Sequence, residues 1–214
     1  TGITGLLGGL VSSTAVTLGF TERSNREPML AKPFALAIMI SWTVMFVRVL
    51  VEVGVLNFAL LQYVWLPITA AGIIALLFCV FLHFTQQAVE KRGLEFSNPF
   101  DLVSAIKFGL LYAAVLLIAR TAQLYFGDPG IYISSLISGL VDVDAITLSL
   151  AQLSRSGEVG MMVAANAIVL ATIANTFLKG VMVLIGGAVM LRKAILPGYI
   201  FVLLTAIGIA LLVI

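Results

Sequence analysis

Two carboxylates stand in the middle of an apolar stretch, Gly139-Leu140-Val141-Asp142-Val143-Asp144-Ala145-Ile146-Thr147. An ionised carboxylate is costly at bilayer depth, so intramembrane acids face a protein interior or water and are functional candidates by default. The chemistry open to Asp142 and Asp144 is that of hard oxygen donors: they bind an inorganic cation, a metal ion included, or carry a proton. On a regular helix the two are about 200° apart and do not converge on one site. Either the helix loosens near Gly139, so that carboxylates, hydroxyls and freed carbonyls line a polar cavity, or it stays intact and one aspartate forms a buried ion pair with Lys179 or Arg48.

The stretch has an echo. Gly9-Leu10-Val11-Ser12-Ser13-Thr14-Ala15-Val16-Thr17-Leu18 matches 139–148 at a spacing of 130 residues, with seven identities in sixteen over 9–24 against 139–154. Ser12 and Thr14 stand where Asp142 and Asp144 stand, which gives one neutral and one charged half-site. That asymmetry suits a single cation or proton site at a pseudo-twofold axis. Asp142 and Asp144 are the candidate ion or metal ligands, with Ser12, Ser13, Thr14, Thr17, Thr147, Asn166 and Asn175 as neutral lining. Arg48, Glu52 and Lys179 are the charged neighbours. Glu52 follows Arg48 by one turn, whereas Val183 is its counterpart after Lys179. The Lys179 ammonium is therefore expected to pair with Asp142 or Asp144 in at least one state, and cation or proton binding to compete with it.

Other chemistries find no support. There is no His/Cys/Asp spacing for a metal centre, no Gly-x-Ser-x-Gly elbow and no Gly-rich phosphate loop with its lysine. Intramembrane aspartyl proteases place one acid on each of two helices, and here both lie on one. The expectation is that the chain is not an enzyme. One cysteine, Cys79, excludes an internal disulfide, and the lone His83 reads as an interfacial side chain.

The elements that must position these groups are membrane helices. The 214 residues are 61% hydrophobic and 10% charged, with a mean hydropathy of +1.16; soluble domains carry roughly 25% charged residues. The net charge of +2 comes from basic residues at span ends, so no nucleic-acid binding is inferred. Seven spans are read: 1–21, 33–57, 67–84, 100–126, 131–154, 159–191 and 197–214. Pro33, Pro67 and Pro197 suit helix starts, and Gly180, Gly186 and Gly187 suggest a bend in the sixth segment. Ser41, Arg48 and Glu52 share one face of the second span, and Thr172, Asn175, Thr176 and Lys179 one face of the sixth. Gly5 and Gly9 suit close helix packing.

The echo extends to these spans: Ser41 and Arg48 match Thr172 and Lys179 at a spacing of 131, and Pro67 matches Pro197 at 130. The expected fold is an all-α polytopic transmembrane bundle of about seven spans. It forms a single domain over 1–214, with repeat one at 1–84, a linking helix at 100–126 and repeat two at 131–214. A three-span repeat plus one linker is an even number of crossings, so the repeats are parallel. Basic connectors at 21–33, 85–100 and 154–158 place those loops in the cytoplasm, although Arg192 and Lys193 argue the other way. The chain opens at Thr1 and is apolar by Ile3, which reads as part of a longer protein.

The segments 5–15, 48–52 (Arg-Val-Leu-Val-Glu) and 139–147, with Asn175 and Lys179-Gly180, resemble a domain of unknown function (DUF4010-like). In many bacterial and archaeal proteins that domain follows an MgtC/SapB-type membrane domain. The resemblance covers essentially the whole chain. It implies a multi-pass protein of the prokaryotic inner (plasma) membrane, of a kind often labelled a magnesium-transport or MgtC-like protein. Separately, Ser12-Ser13-Thr14-Ala15 is similar to a stretch in monovalent cation–proton antiporters.

The leading expectation is a secondary transporter or channel-like domain for a small inorganic cation. The alternative is a non-transporting membrane module that binds or regulates another membrane protein. No resident cofactor is implied beyond an inorganic cation or proton. The expected partners are the lipid bilayer and either a second copy, as a homodimer, or the upstream MgtC-like domain. A hydrated cavity reaching the first and fifth spans favours transport, and a dry, fully paired centre favours the alternative.

Overall fold

The computed structural model describes residues 2–85 and 124–213, together with 117, 118 and 121. The expected linking helix, with Lys107 and Arg120, falls almost wholly outside the described residues, as does the connector 86–101. The described residues form helices and no strand: α1 (Gly2–Arg26), a short 3-10 turn (Pro28–Leu30), α2 (Ala31–Leu56), α3 (Phe58–Thr85), α4 (Asp128–Val141), α5 (Val143–Arg155), α6 (Met161–Gly186) and α7 (Val189–Val213). Among them α1, α2, α3, α6 and α7 are long and apolar enough to cross a membrane. Their outer faces carry well-exposed Leu77, Phe81 and Leu204, side chains for which lipid rather than water is the natural solvent. The chain is a multi-pass membrane protein.

Several boundaries differ from the sequence reading. The expected continuous fifth span is two half-length helices, α4 of 14 residues and α5 of 13, meeting at Asp142. Pro67 and Pro197 lie inside α3 and α7 and do not open them. In a membrane helix the carbonyl freed by proline is satisfied by local adjustment and neighbouring groups, so proline is no reliable start signal there. Asn57 starts α3 instead: it accepts the Leu60 N–H on both its own carbonyl (3.0 Å) and its side-chain Oδ1 (3.3 Å). The long sixth segment breaks after Gly186, while Gly180 continues the helix.

Contacts along α2 and α3 make them an antiparallel hairpin: Lys32 Nζ donates to the Thr85 carbonyl at 3.0 Å, and Thr43 Oγ1 lies 3.8 Å from Cys79 Sγ. The helices α6 and α7 form a second hairpin, in which the Tyr199 hydroxyl donates to the Phe177 carbonyl and Arg192 donates to Ile185 and Gly187 at the turn.

The chain gathers into two compact units, each drawing on α2, α3, α6 and α7. Unit one holds 2–47, 70–85 and 176–205, including all of α1; unit two holds 48–69, 124–175 and 206–213, including α4 and α5. In unit one Phe34, Trp42 and Phe46 are fully buried, with Phe20 stacked on Phe34 and Trp42 edge-on to Tyr199. Here α1 lies directly on α2, for a Cβ on Gly9 would stand 2.8 Å from Ser41 Cα. Unit two buries Leu60, Ile131, Ile146, Leu150 and Ile168. Its α4 lies as closely on α6, for a Cβ on Gly139 would stand 2.7 Å from Ala171 Cα.

Candidate functional site

Asp142 has extended backbone (φ −154°, ψ 126°) and ends one helix while beginning the next. Its N–H donates to the Ser138 carbonyl at 2.7 Å, closing α4. Its Oδ1 accepts the N–H groups of Asp144 (2.7 Å) and Ala145 (3.3 Å), capping α5. A short acceptor side chain at this position satisfies donors that a broken helix leaves open. One carbonyl freed near the end of α4 is met from α6, where Asn175 Nδ2 donates to the Gly139 carbonyl at 2.7 Å.

Asp144 lies in the first turn of α5, where a negative charge complements the helix dipole. It is only 8% exposed. One carboxylate oxygen, Oδ2, is engaged by Arg48 Nη2 from α2 in an ion pair. The other, Oδ1, is buried without a hydrogen-bond partner among the described residues. The same is true of Glu52 Oε2, Asn57 Nδ2, Ser135 Oγ, Thr147 Oγ1, Ser154 Oγ and Asn175 Oδ1. All of these orphaned atoms belong to unit two. Arg48 and Asp142 are the charged neighbours of the Glu52 carboxyl. Buried polar atoms are nearly always satisfied by protein or by ordered water. Of these atoms, Asp144 Oδ1 and Thr147 Oγ1, in the first turns of α5, and Asn175 Oδ1, whose amide donates to Gly139, lie by the helix break and mark a place that water or an ion can occupy. Among the described residues no three His, Cys, Asp or Glu side chains converge as a metal cluster. Any cation held here would thus rely on amide, hydroxyl or carbonyl oxygens beside the carboxylates.

Unit one repeats the backbone device with the opposite outcome. Ser12, at the position matching Asp142, is also extended (φ −163°, ψ 108°), and its Oγ accepts the Ala15 N–H at 3.2 Å. The centre beside this kink holds a buried cation of the protein's own. Lys179, 1% exposed, donates from Nζ to Ser13 Oγ at 2.6 Å and contacts Met45 Sδ at 2.8 Å. Thr17 Oγ1 donates to the Ser13 carbonyl at 2.8 Å and accepts the Trp42 Nε1–H at 2.9 Å. Its counterpart Thr147 in unit two is equally buried and has no partner among the described residues.

The candidates read from sequence fall in both units. Arg48, Asp144 and Asp142, and likewise Gly139 and Asn175, are joined in unit two by an ion pair or hydrogen bonds. Ser13, Thr17 and Lys179 are joined in unit one, and Ser12 forms its kink. Thr14 is half-buried there. Asn166 is half-buried on α6; nine residues before Asn175, it is about 13 Å away along the helix axis and off the break. Asp144 is engaged by Arg48, and the Lys179 ammonium donates to Ser13 Oγ. Each basic residue serves the broken helix of the other sequence half. Met45, Trp42, Ser135 and Ser154 were not singled out from the sequence. Ser135 and Ser154 carry a signal, since at the spacing of 130 Ser135 replaces Gly5 and Ser154 matches Ser24.

The chain matches, over residues 1–187, the family described as Domain of unknown function (DUF4010). It is 37% identical over 192 residues to an "Uncharacterized protein" of Aquifex aeolicus (strain VF5), covering 89% of this chain and 84% of that protein. No solved structure matches it.

Proposed function

We propose, for a chain that belongs to the DUF4010 family, a secondary-transport or channel-like function in which unit two binds a small inorganic cation at the break between α4 and α5. The observation that carries this reading is the set of buried, unpartnered oxygens on Asp144, Thr147 and Asn175 around that break. Asp142 and Asp144 supply charge, and Asn175 and Thr147 supply neutral ligands. All are hard oxygen donors, the set that suits alkali and alkaline-earth ions rather than thiophilic metals. The chemistry is binding and passage, with no catalytic step. The rival reading, a regulatory membrane module, calls for a fully paired centre, a description closer to unit one than to unit two.

The same proposal takes the two kinked helices, each followed by a hairpin, as a duplicated three-span repeat. It places the protein in a prokaryotic inner membrane, either as a homodimer or beside an MgtC/SapB-type domain. The test is flux in proteoliposomes with Na+, K+, Mg2+ and Ca2+. Uptake of one of these by wild type, lost in Asp144→Asn, is expected. No uptake of any, or full uptake by the variant, overturns the proposal.

A further inference from the structure

We infer that Arg48 is a tethered cation that competes with the inorganic ion for Asp144, and that Glu52 receives its guanidinium when that ion binds. The inference rests on the cation-site reading above and concerns what frees the site. Arg48 now occupies one oxygen of Asp144. A second positive charge drawn to the remaining oxygen would face a guanidinium at contact distance in a medium of low dielectric, where like charges repel strongly. Arginine has no neutral form to retreat to, so relief requires movement of the charged group.

The receiver is already in place. Glu52 follows Arg48 by four residues on α2, the spacing at which helical side chains meet, and its Oε2 is buried with no partner among the described residues. The Arg48 side chain is 20% exposed, so it is not locked on every side. Unit one supplies the contrast. There the basic residue Lys179 faces hydroxyl and thioether groups, and Val183, fully buried and apolar, stands where Glu52 stands.

The test is a double-variant cycle on the purified full chain in detergent. The readout is the half-saturating concentration of NaCl, KCl, MgCl2 or CaCl2, whichever the wild type binds, against choline chloride at constant ionic strength. Residues in one charge network couple strongly enough to give about tenfold effects. Arg48→Gln is expected to lower the half-saturating concentration about tenfold, and Glu52→Gln to raise it about tenfold when Arg48 is present. In the Arg48→Gln background, Glu52→Gln should change it by less than about twofold.

A loss on Glu52→Gln of the same size in both backgrounds would make Glu52 an independent ligand and overturn the handover. Weaker binding by Arg48→Gln would do the same. A wild type that binds none of the four ions removes the cation-site reading and this inference together, whereas binding without the coupling removes this inference alone. If Arg48→Gln is not recovered folded, Arg48→Met takes its place under the same criteria. If neither folds, the guanidinium 15N signals decide: an ion-induced shift in wild type that is missing from Glu52→Gln supports the handover, and no shift refutes it.

Discussion

A methyl group added at Gly139 should damage stability and ion binding together, whereas the same group at Gly9 should damage stability alone. An alanine Cβ at Gly139 would lie 2.7 Å from Ala171 Cα; carbon atoms rest at about 3.5–4.0 Å, so α4 must withdraw from α6 by roughly 1 Å. The obstacle is backbone, which no rotamer change can move aside. Asn175 donates across the same interface to the Gly139 carbonyl at 2.7 Å, and a withdrawal of that size carries the pair to roughly 3.7 Å, beyond hydrogen-bonding distance. Overpacking costs about 1–3 kcal/mol and the lost hydrogen bond about 1 more, giving roughly 2–4 kcal/mol. Gly9→Ala meets Ser41 Cα at 2.8 Å; it should carry an overpacking penalty of about 1–3 kcal/mol within unit one. The single cysteine, Cys79, is buried, so a fluorogenic maleimide that reacts as the fold opens reports melting without an added label. Both variants should melt below wild type, and only Gly139→Ala should lose the upward shift that a bound cation produces. Wild-type melting of Gly139→Ala, or an equal loss of the cation response in Gly9→Ala, would refute the reasoning.

Asp142→Asn keeps a good capping acceptor, so its stability should stay within about 0.5 kcal/mol of wild type while its cation dependence weakens, as read by the same melting assay with and without ion. Asp144→Asn strips a buried arginine of its carboxylate and should cost about 3–5 kcal/mol as well as cation binding; a wild-type melting curve would count against the ion pair. Ser13→Ala removes an acceptor from the buried Lys179 ammonium and should cost about 1.5–3 kcal/mol, while Ser12→Ala, which loses a longer contact, should cost about 0.5–1 kcal/mol. Equal melting of the two serine variants would remove Ser13 from its role.

A break near Gly139 and an Arg48–aspartate pair are both legible in the sequence; the kink at Ser12 and the surroundings of Lys179 are not. Asp142 and Asp144 cannot share a site on an unbroken helix, and an aspartate caps well, so a break near Gly139 was foreseeable from residue types. The kink at Ser12 was not read, because serine sits in a membrane helix without complaint and only its alignment with Asp142 points to it. Glycine spacing correctly marked the close approach of α1, through Gly5 and Gly9, to another helix. Pro67 and Pro197 misled because a rule learned in water treats an interior proline as a break. The exchange of basic residues, Arg48 to Asp144 and Lys179 to Ser13, depends on tertiary placement that periodicity along one helix does not carry. For the same reason the unpaired atoms of Ser135 and Ser154 were invisible until burial was known.

The bond from Lys179 to Ser13 joins residues 166 positions apart, and two more, Ala188 to Ser24 and Asn25 to Gly186, span 164 and 161. A ribosome adding about 5–20 residues per second takes roughly 8–30 s to cover that distance. Throughout that interval α1 is already made and its acceptors for Lys179 and the turn after α6 stand unused, with water, lipid headgroups or a membrane-resident chaperone as the available substitutes. Helix α6, when it follows, brings an ammonium into hydrocarbon and needs α1 beside it to settle. Biogenesis of this protein is thus bound to keep its first helix waiting for one of its last, and coexpressed halves cut at the 86–116 segment should insert stably only in each other's presence.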